Sequence, residues 1–479
     1  MVLSWDAPVE AHQLGYPAMN RSIVSMLLAT FVLRVSTAIT GGLLLFLIAE
    51  RTRGDGTGPS VQAFLSGGFY ATELTGAVVF GVLADRYGRK VIMLVGPIFG
   101  GIAVFMTGLT THVPVLFFTR LLEGGSTAAS IPSTLGFIAA ETADDEKLRG
   151  RVVSLFEFVS LGGMLAIGPA LSGILWDRLG RPAFFLNCFL YALAFCLYAY
   201  GVKEVRRKVP AAPAQAVAPV PVREKTAAAV SRYMRIATNR KVLLFAPTWL
   251  AINAILGLWA IHAPLLLTGN RRDPAQFLMQ GITATSIGIG EAALAIVFGG
   301  GLLFWGFAYS RFRRTTMLIM GVGAFVAMTV DVLAINHLGG SSQVLLGALG
   351  LVGVAALFVM SGATPAALGL LADVSEGFEE DRSAIMGLYS VFLGLGQVLG
   401  ALIGGLASTW NGIDGLIVAT AGLLAIGVIA LVHLRASEGA ILDGTGQGGA
   451  TVSMTDSIRA TLSANGRGRP SEAAVKEER

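Results

Sequence analysis

Runs of about 20 to 28 apolar residues, parted by short polar segments, recur along the whole chain. At 1.5 Å rise per residue each run is long enough, as a helix, to cross a hydrocarbon core of about 30 Å. A backbone in lipid must satisfy its own hydrogen bonds, so only helices and closed barrels are open to such a chain. Alternating ten-residue strands are absent, which leaves helices. The composition agrees: 54% of residues are apolar and 14% charged. The sequence therefore predicts an all-α integral membrane protein.

Twelve spans are expected, near 22–49, 61–84, 91–111, 113–140, 152–176, 182–202, 242–267, 281–309, 315–336, 343–371, 384–409 and 414–434. With the N-terminus inside, about 27 of the 35 Lys and Arg fall in cytoplasmic segments and about 6 in outer loops. The positive-inside rule then puts both termini in the cytoplasm, in the plasma (inner) membrane. The net charge of +5 is explained by these loops, and no basic patch with interleaved aromatics points to nucleic acid. The first apolar run is too long for a signal-peptide core and is expected to remain as a span. Cys188 and Cys196 sit two helical turns apart in one run, out of reach of a disulfide, and read as packing residues.

Residues 1–21 read as a cytoplasmic tail, 22–202 as a first six-helix bundle and 242–434 as a second. Between the bundles, 203–241 holds the Pro/Ala stretch PAAPAQAVAPVPV and then the basic stretch VSRYMRIATNRK. The first is a linker, and the second is either a surface-lying amphipathic helix or a solvated flank. Residues 435–479, rich in Gly, Ser, Thr and charge, read as a disordered tail. Matched features recur across the linker: Pro132 and Arg149 with Pro365 and Arg382, GPALSG at Gly168 with GALIGG at Gly400, and GVLADRYGRK at Gly81 with GFAYSRFRRT at Gly306. Two pseudo-symmetric bundles with a site at their interface are the expected architecture.

Three segments carry more than hydrophobicity. In GVLADRYGRK, Gly81 allows close helix approach, Gly88 a sharp turn, and Asp85, Arg86, Arg89 and Lys90 form a charge cluster at the inner surface. RLLEGGSTAA places Arg120 and Glu123 three apart on the fourth span, where they can pair locally. GGMLAIGPALSG gives the fifth span a smooth face around Gly163, Gly168 and Pro169 for close packing and bending. Together these resemble motifs of the major facilitator superfamily, and the third resembles the fifth-helix Gly-Pro motif of its drug:proton antiporters, with Ser172 in place of one glycine. The resemblance implies a secondary active carrier working by alternating access, with Gly81, Asp85, Arg86, Gly88, Arg89, Gly163, Gly168 and Pro169 serving its conformational change. It implies that Asp85 faces the helix beginning near Ser383, that Arg120 takes part in proton transfer or substrate binding beside Glu123, and that Asn253, Trp259 and Gln397 line the cavity as substrate contacts.

Glu73, in GFYATELTGAVVF, is the most exacting residue. An intramembrane charge costs about 2.5–3.5 kcal/mol on insertion scales and calls for a partner. Glu73 lies roughly 18 Å from the inner surface, and Arg34 about as deep in the first span. The two can meet if their helices face each other. Either their contact and its hydration set the proton affinity of Glu73 and couple protons to transport, or they form a static bridge. Arg34 is in addition a candidate substrate contact. Glu157 lies near the inner mouth of the fifth span; Glu291, Asp331 and His262 lie in the outer parts of theirs, toward the headgroups.

The expected function is proton-driven export of a small, partly apolar compound by a monomer in the bilayer, with the proton gradient in place of a cofactor. A lipid or lysolipid flippase and a proton-coupled importer of organic anions are the alternatives. No nucleotide-binding glycine loop, metal-ligand spacing or catalytic triad points to an enzyme.

Overall fold

The computed structural model describes residues 19–143, 145–204, 240–308, 311–375 and 382–448. Most of the expected linker and most of the tail lie outside them, as does the side chain of Asp85. Met1–Leu431 form one compact unit and Val432–Arg479 a second. The described residues are helical throughout, without strands. The first unit begins with α1 (Arg21–Arg51), α2 (Gly58–Tyr87), α3 (Arg89–Leu109) and α4 (Val113–Glu141). Then come α5 (Glu146–Leu161), a π-turn (Gly162–Ile167), α6 (Gly168–Leu179) and α7 (Ala183–Cys196). Its C-terminal half holds α8 (Arg240–Leu267), α9 (Ala284–Ala308), α10 (Arg314–Leu338), α11 (Gln343–Met360), α12 (Ala363–Ser375) and α13 (Arg382–Gly448) as far as Leu431.

Ten helices among the described residues are long and apolar enough to cross a membrane. Two differences from the expected spans have plain causes. The 29-residue α4 is not among the ten, because Arg120, Glu123 and a run of Gly, Ser and Thr lower its apolarity. The final span, Val391–Ala436, is a single 46-residue run. Within it Asn411 and Gly412 leave helical geometry, and Gly412 sits at φ 57°, which glycine adopts without a Cβ penalty. The last helix runs on to Gly448, past the end expected near 434.

Helix α1 is the axle of the N-terminal half, buried over most of its length. Its polar positions are satisfied inside the bundle rather than turned to lipid. Ser36 Oγ donates to Asn187 Oδ1 at 2.8 Å, Asn187 Nδ2 donates to Thr40 Oγ1 at 2.9 Å, and the Tyr198 hydroxyl lies 3.0 Å from Thr30 Oγ1. Each such bond stabilises helix association by only about 0.6 kcal/mol on average, so several are needed to fix the register. Tyr191 seats over Gly100, where an added Cβ would come within 2.1 Å of its ring. Cys188 and Cys196 carry free thiols.

The two halves are tied at the end that the Lys/Arg bias assigns to the outside. There Gly54 N donates to Asn270 O at 3.0 Å, Asn270 Nδ2 to Thr52 Oγ1 at 2.8 Å, and Thr285 N to Asp177 Oδ2 at 2.7 Å. Ser60 Oγ and Thr409 Oγ1 lie 3.0 Å apart. The segment between α8 and α9 that supplies Asn270 is itself held by Gln276, whose Nε2 donates to Asp273 Oδ2 and to Asn411 O. Asn336 Nδ2 and His337 Nε2 both approach Asp414 Oδ1, at 2.8 and 3.0 Å.

Candidate functional site

Five charged residues of the N-terminal half, Glu157, Arg34, Glu73, Arg120 and Glu123, form a series of alternating sign across α5, α1, α2 and α4. Arg34 is 7% exposed, within electrostatic reach of both Glu73 and Glu157. Glu73 is in turn within reach of Arg34 and Arg120. Arg120 pairs directly with Glu123, and its guanidinium stands 4.4 Å over the Phe69 ring. Glu123 is fully buried, and its second carboxylate oxygen has no hydrogen-bond partner. Tyr70 and Tyr191 border the line, the first near Glu73 and Arg120, the second near Glu123.

Arg34 and Glu73 thus come into electrostatic reach but form no ion pair or hydrogen bond in this structure. Equal depth was legible from sequence; the helical phase that aims each side chain was not. Helix α1 instead packs tightly on the π-turn at Arg34: a Cβ on Gly163 would lie 3.2 Å from Arg34 Cβ and from Phe31 O. One turn outward, a Cβ on Gly168 would lie 2.3 Å from Ala38 Cβ. Ser172, which replaces a motif glycine, finds its room at Gly42, where a Cβ would come within 2.2 Å of Ser172 Oγ.

In the C-terminal half the polar atoms of two expected substrate contacts are engaged locally. Asn253 Nδ2 donates to Trp249 O at 2.8 Å, and Trp259 Nε1 to Thr420 Oγ1 at 2.9 Å. Gln397 is half-buried, its Oε1 2.7 Å from where a Cβ on Gly257 would stand. His262 is buried within the protein, with Nε2 2.9 Å from Ala401 O and Nδ1 unpartnered. Asp331 is likewise buried against Gly353, both oxygens without a hydrogen bond.

At the turn between α2 and α3, Gly88 has φ 105° and ends α2. The turn is locked by a residue that sequence reading missed. Glu204 accepts from Arg89 N at 3.1 Å and Lys90 N at 3.0 Å, laying a carboxylate on the N-terminus of α3. Arg86 stacks over Tyr87 at 5.4 Å, and Gly81 faces Pro132 of α4. The contact expected between Asp85 and the helix start near Ser383 lies outside the described side chains. Glu204→Ala is expected to cost about 1 kcal/mol of stability, read as a lower melting temperature in detergent, because two N-terminal donors lose their acceptor. A melting temperature equal to wild type would show that the carboxylate does not hold the turn.

A chain built this way matches a known family over nearly its full length. The Major Facilitator Superfamily model matches residues 26–273 and 274–465. The uncharacterized MFS-type transporter YuxJ of Bacillus subtilis (strain 168) is 26% identical over 366 residues, covering 74% of this chain and 82% of that one. Multidrug resistance protein 1 of the same organism is 30% identical over 139 residues, 29% of this chain and 35% of that protein, so only about a third of its length is spanned. Among solved structures, the nucleoside transporter NupG superposes with a TM-score of 0.66 at 13% identity, over 87% of this chain and 99% of that one, a likeness of fold. With glycine-seamed membrane helices and a family match over nearly its whole length, this chain is a member of the Major Facilitator Superfamily.

Proposed function

We propose that the protein is a proton-coupled exporter of a small, partly apolar compound, working as a monomer of twelve spans in the plasma membrane with both termini cytoplasmic. In this reading α4 and the two arms of α13 about Gly412 complete the twelve. One observation carries the coupling. Glu73, half-buried in the bundle, is in electrostatic reach of Arg34 and Arg120, whereas Arg120 is already paired with the buried Glu123 and Glu157 at the far end of the line is exposed. An intramembrane carboxylate without a bonded counter-charge is costly, and a single proton neutralises it. Glu73 is the member best suited to take that proton, since it lies between two arginines without pairing with either. A proton arriving from outside neutralises Glu73, loosens its hold on Arg34 and favours the inward-facing state. The close α1 packing of the Gly-Pro segment and the likeness to a multidrug resistance protein support export as the direction.

Arg34 also supports a second reading. Its guanidinium is buried without an ion pair, as a docking point for an organic anion would be, and this favours proton-coupled uptake of such anions. The two readings separate in proteoliposomes carrying an internal pH dye and an imposed pH gradient, offered cationic amphiphiles and organic acids in turn. Compound-dependent proton flux is expected in wild type, with its pH dependence flattened in Glu73→Gln. Flux with organic acids alone would establish the second reading. An unchanged pH dependence in Glu73→Gln would remove Glu73 from the coupling.

A further inference from the structure

The seam between α6 and α9 joins the two halves with almost no space. A Cβ on Gly173 would lie 2.1 Å from Ala284 O, and one on Gly288 would lie 2.2 Å from Pro169 O. From the first contact to the second, each helix moves by four residues in opposite directions, so the pair runs antiparallel and in register. Helix α9 also packs on the π-turn Gly162–Ile167, and the same register carried one step inward would bring Glu291 and Ala292 level with Leu165 and Ala166. Arg34 packs on the same π-turn through Gly163, only a few residues away in height. Each half therefore packs on this turn a helix that carries one charged residue near it, Arg34 on α1 and Glu291 on α9.

Glu291 stands one helical turn beneath the closed seam, half-buried, with no hydrogen bond or ion pair to a described residue. The titratable groups on the elements packed against α9 stand off from it. Asp177 and Arg178 of α6 lie at the outer end, where Asp177 already accepts from Thr285 N, and Glu157 of α5 lies toward the inner end. Helix α11 brings no titratable residue, and α12 brings Asp373, whose side chain lies outside those described. An ionised carboxylate that loses much of its water without a counter-charge is disfavoured, whereas its neutral form is tolerated.

We propose that Glu291 is the charge that governs outer closure: ionised, it keeps the α6–α9 seam hydrated and open, and a proton taken from the outer side lets Gly288 settle on Pro169. Glu291 then works with Glu73, one carboxylate in each half, and outer closure becomes conditional on a proton. This rests on the reading of the chain as a carrier that opens to either side in turn.

The test uses the full chain in lipid nanodiscs without substrate, with Cys188 and Cys196 replaced by Ser and spin labels at Arg178→Cys and Ile282→Cys. Lowering the pH from about 8 to about 5 is expected to raise the short-distance population at least about fivefold in wild type. Glu291→Gln should hold that population at its low-pH level throughout, and Glu291→Asp should keep the wild-type response. A wild type without the pH shift, or a Glu291→Gln variant that retains it, overturns the proposal. A shift lost in Glu73→Gln and kept in Glu291→Gln also overturns it, by assigning the sensing to Glu73. Because no substrate is present, a failure to find any compound that moves protons would count against the proposed function and leave this measurement to stand on its own.

Discussion

Replacing Gly288 by alanine is expected to hold the outer seam apart and cut transport by at least about fivefold, with the protein still folded and inserted. The added methyl would stand 2.2 Å from the carbonyl oxygen of Pro169, 3.0 Å from its carbon and 3.3 Å from the Cα of Ala170. These are backbone atoms, which cannot rotate aside as a side chain can. Overpacking of this kind costs about 1–3 kcal/mol, and about 1.4 kcal/mol is a tenfold change in an equilibrium. That cost falls on the conformation in which α6 and α9 touch, so the equilibrium shifts toward the outer-open form rather than toward unfolding. Gly290 is the internal control, on the same helix with nothing within 4 Å of its added Cβ. Gly290→Ala should transport like wild type. If the two variants behave alike in proteoliposome flux and in the spin-label distance across the seam, the close approach is not a working contact.

How far the sequence reached is clearest residue by residue. Hydropathy and charge bias were enough for the helical membrane class, and the ordered glycines of GVLADRYGRK and GGMLAIGPALSG pointed to the family that the comparisons show. Such local signals survive without tertiary knowledge because each belongs to one helix or one turn. What failed to show were pairings across distance. Glu204 lies 115 residues from Arg89 and has no pattern around it, so nothing local marks it as the acceptor for α3. Arg34 and Glu73 have matching depth, but whether two side chains meet depends on the rotation of each helix, which a one-dimensional hydropathy profile leaves open. Glu291 and His262 were read as near the headgroups from their position along a span. Only the glycine contacts of α6, α9 and α13 reveal that one borders the outer seam and the other is packed beneath Gly404. Small residues explain much of this gap, because a glycine in a sequence announces a close approach without naming the partner.

Arg120→Met is expected to destabilise the protein more than any other single change considered, by about 3–5 kcal/mol, read as lost folded yield or a marked fall in melting temperature. The reason lies in Glu123, fully buried with one oxygen already unpartnered and Arg120 as its direct ionic contact. Removing the arginine strands a carboxylate in the bundle; it also removes the cation from the face of Phe69. Removing both charges together is a different matter, since apolar replacements of similar volume often recover the stability that a buried pair provides. The double variant Arg120→Met/Glu123→Met should therefore melt close to wild type. Its transport then decides what the pair is for. A pair that only pins α4 to itself predicts that stability and flux return together. A pair that belongs to the alternating charge line predicts stability without coupled flux, because losing one charge of each sign still leaves Glu73 and Glu157 facing Arg34 but takes away the second arginine that holds Glu73 poised between two partners.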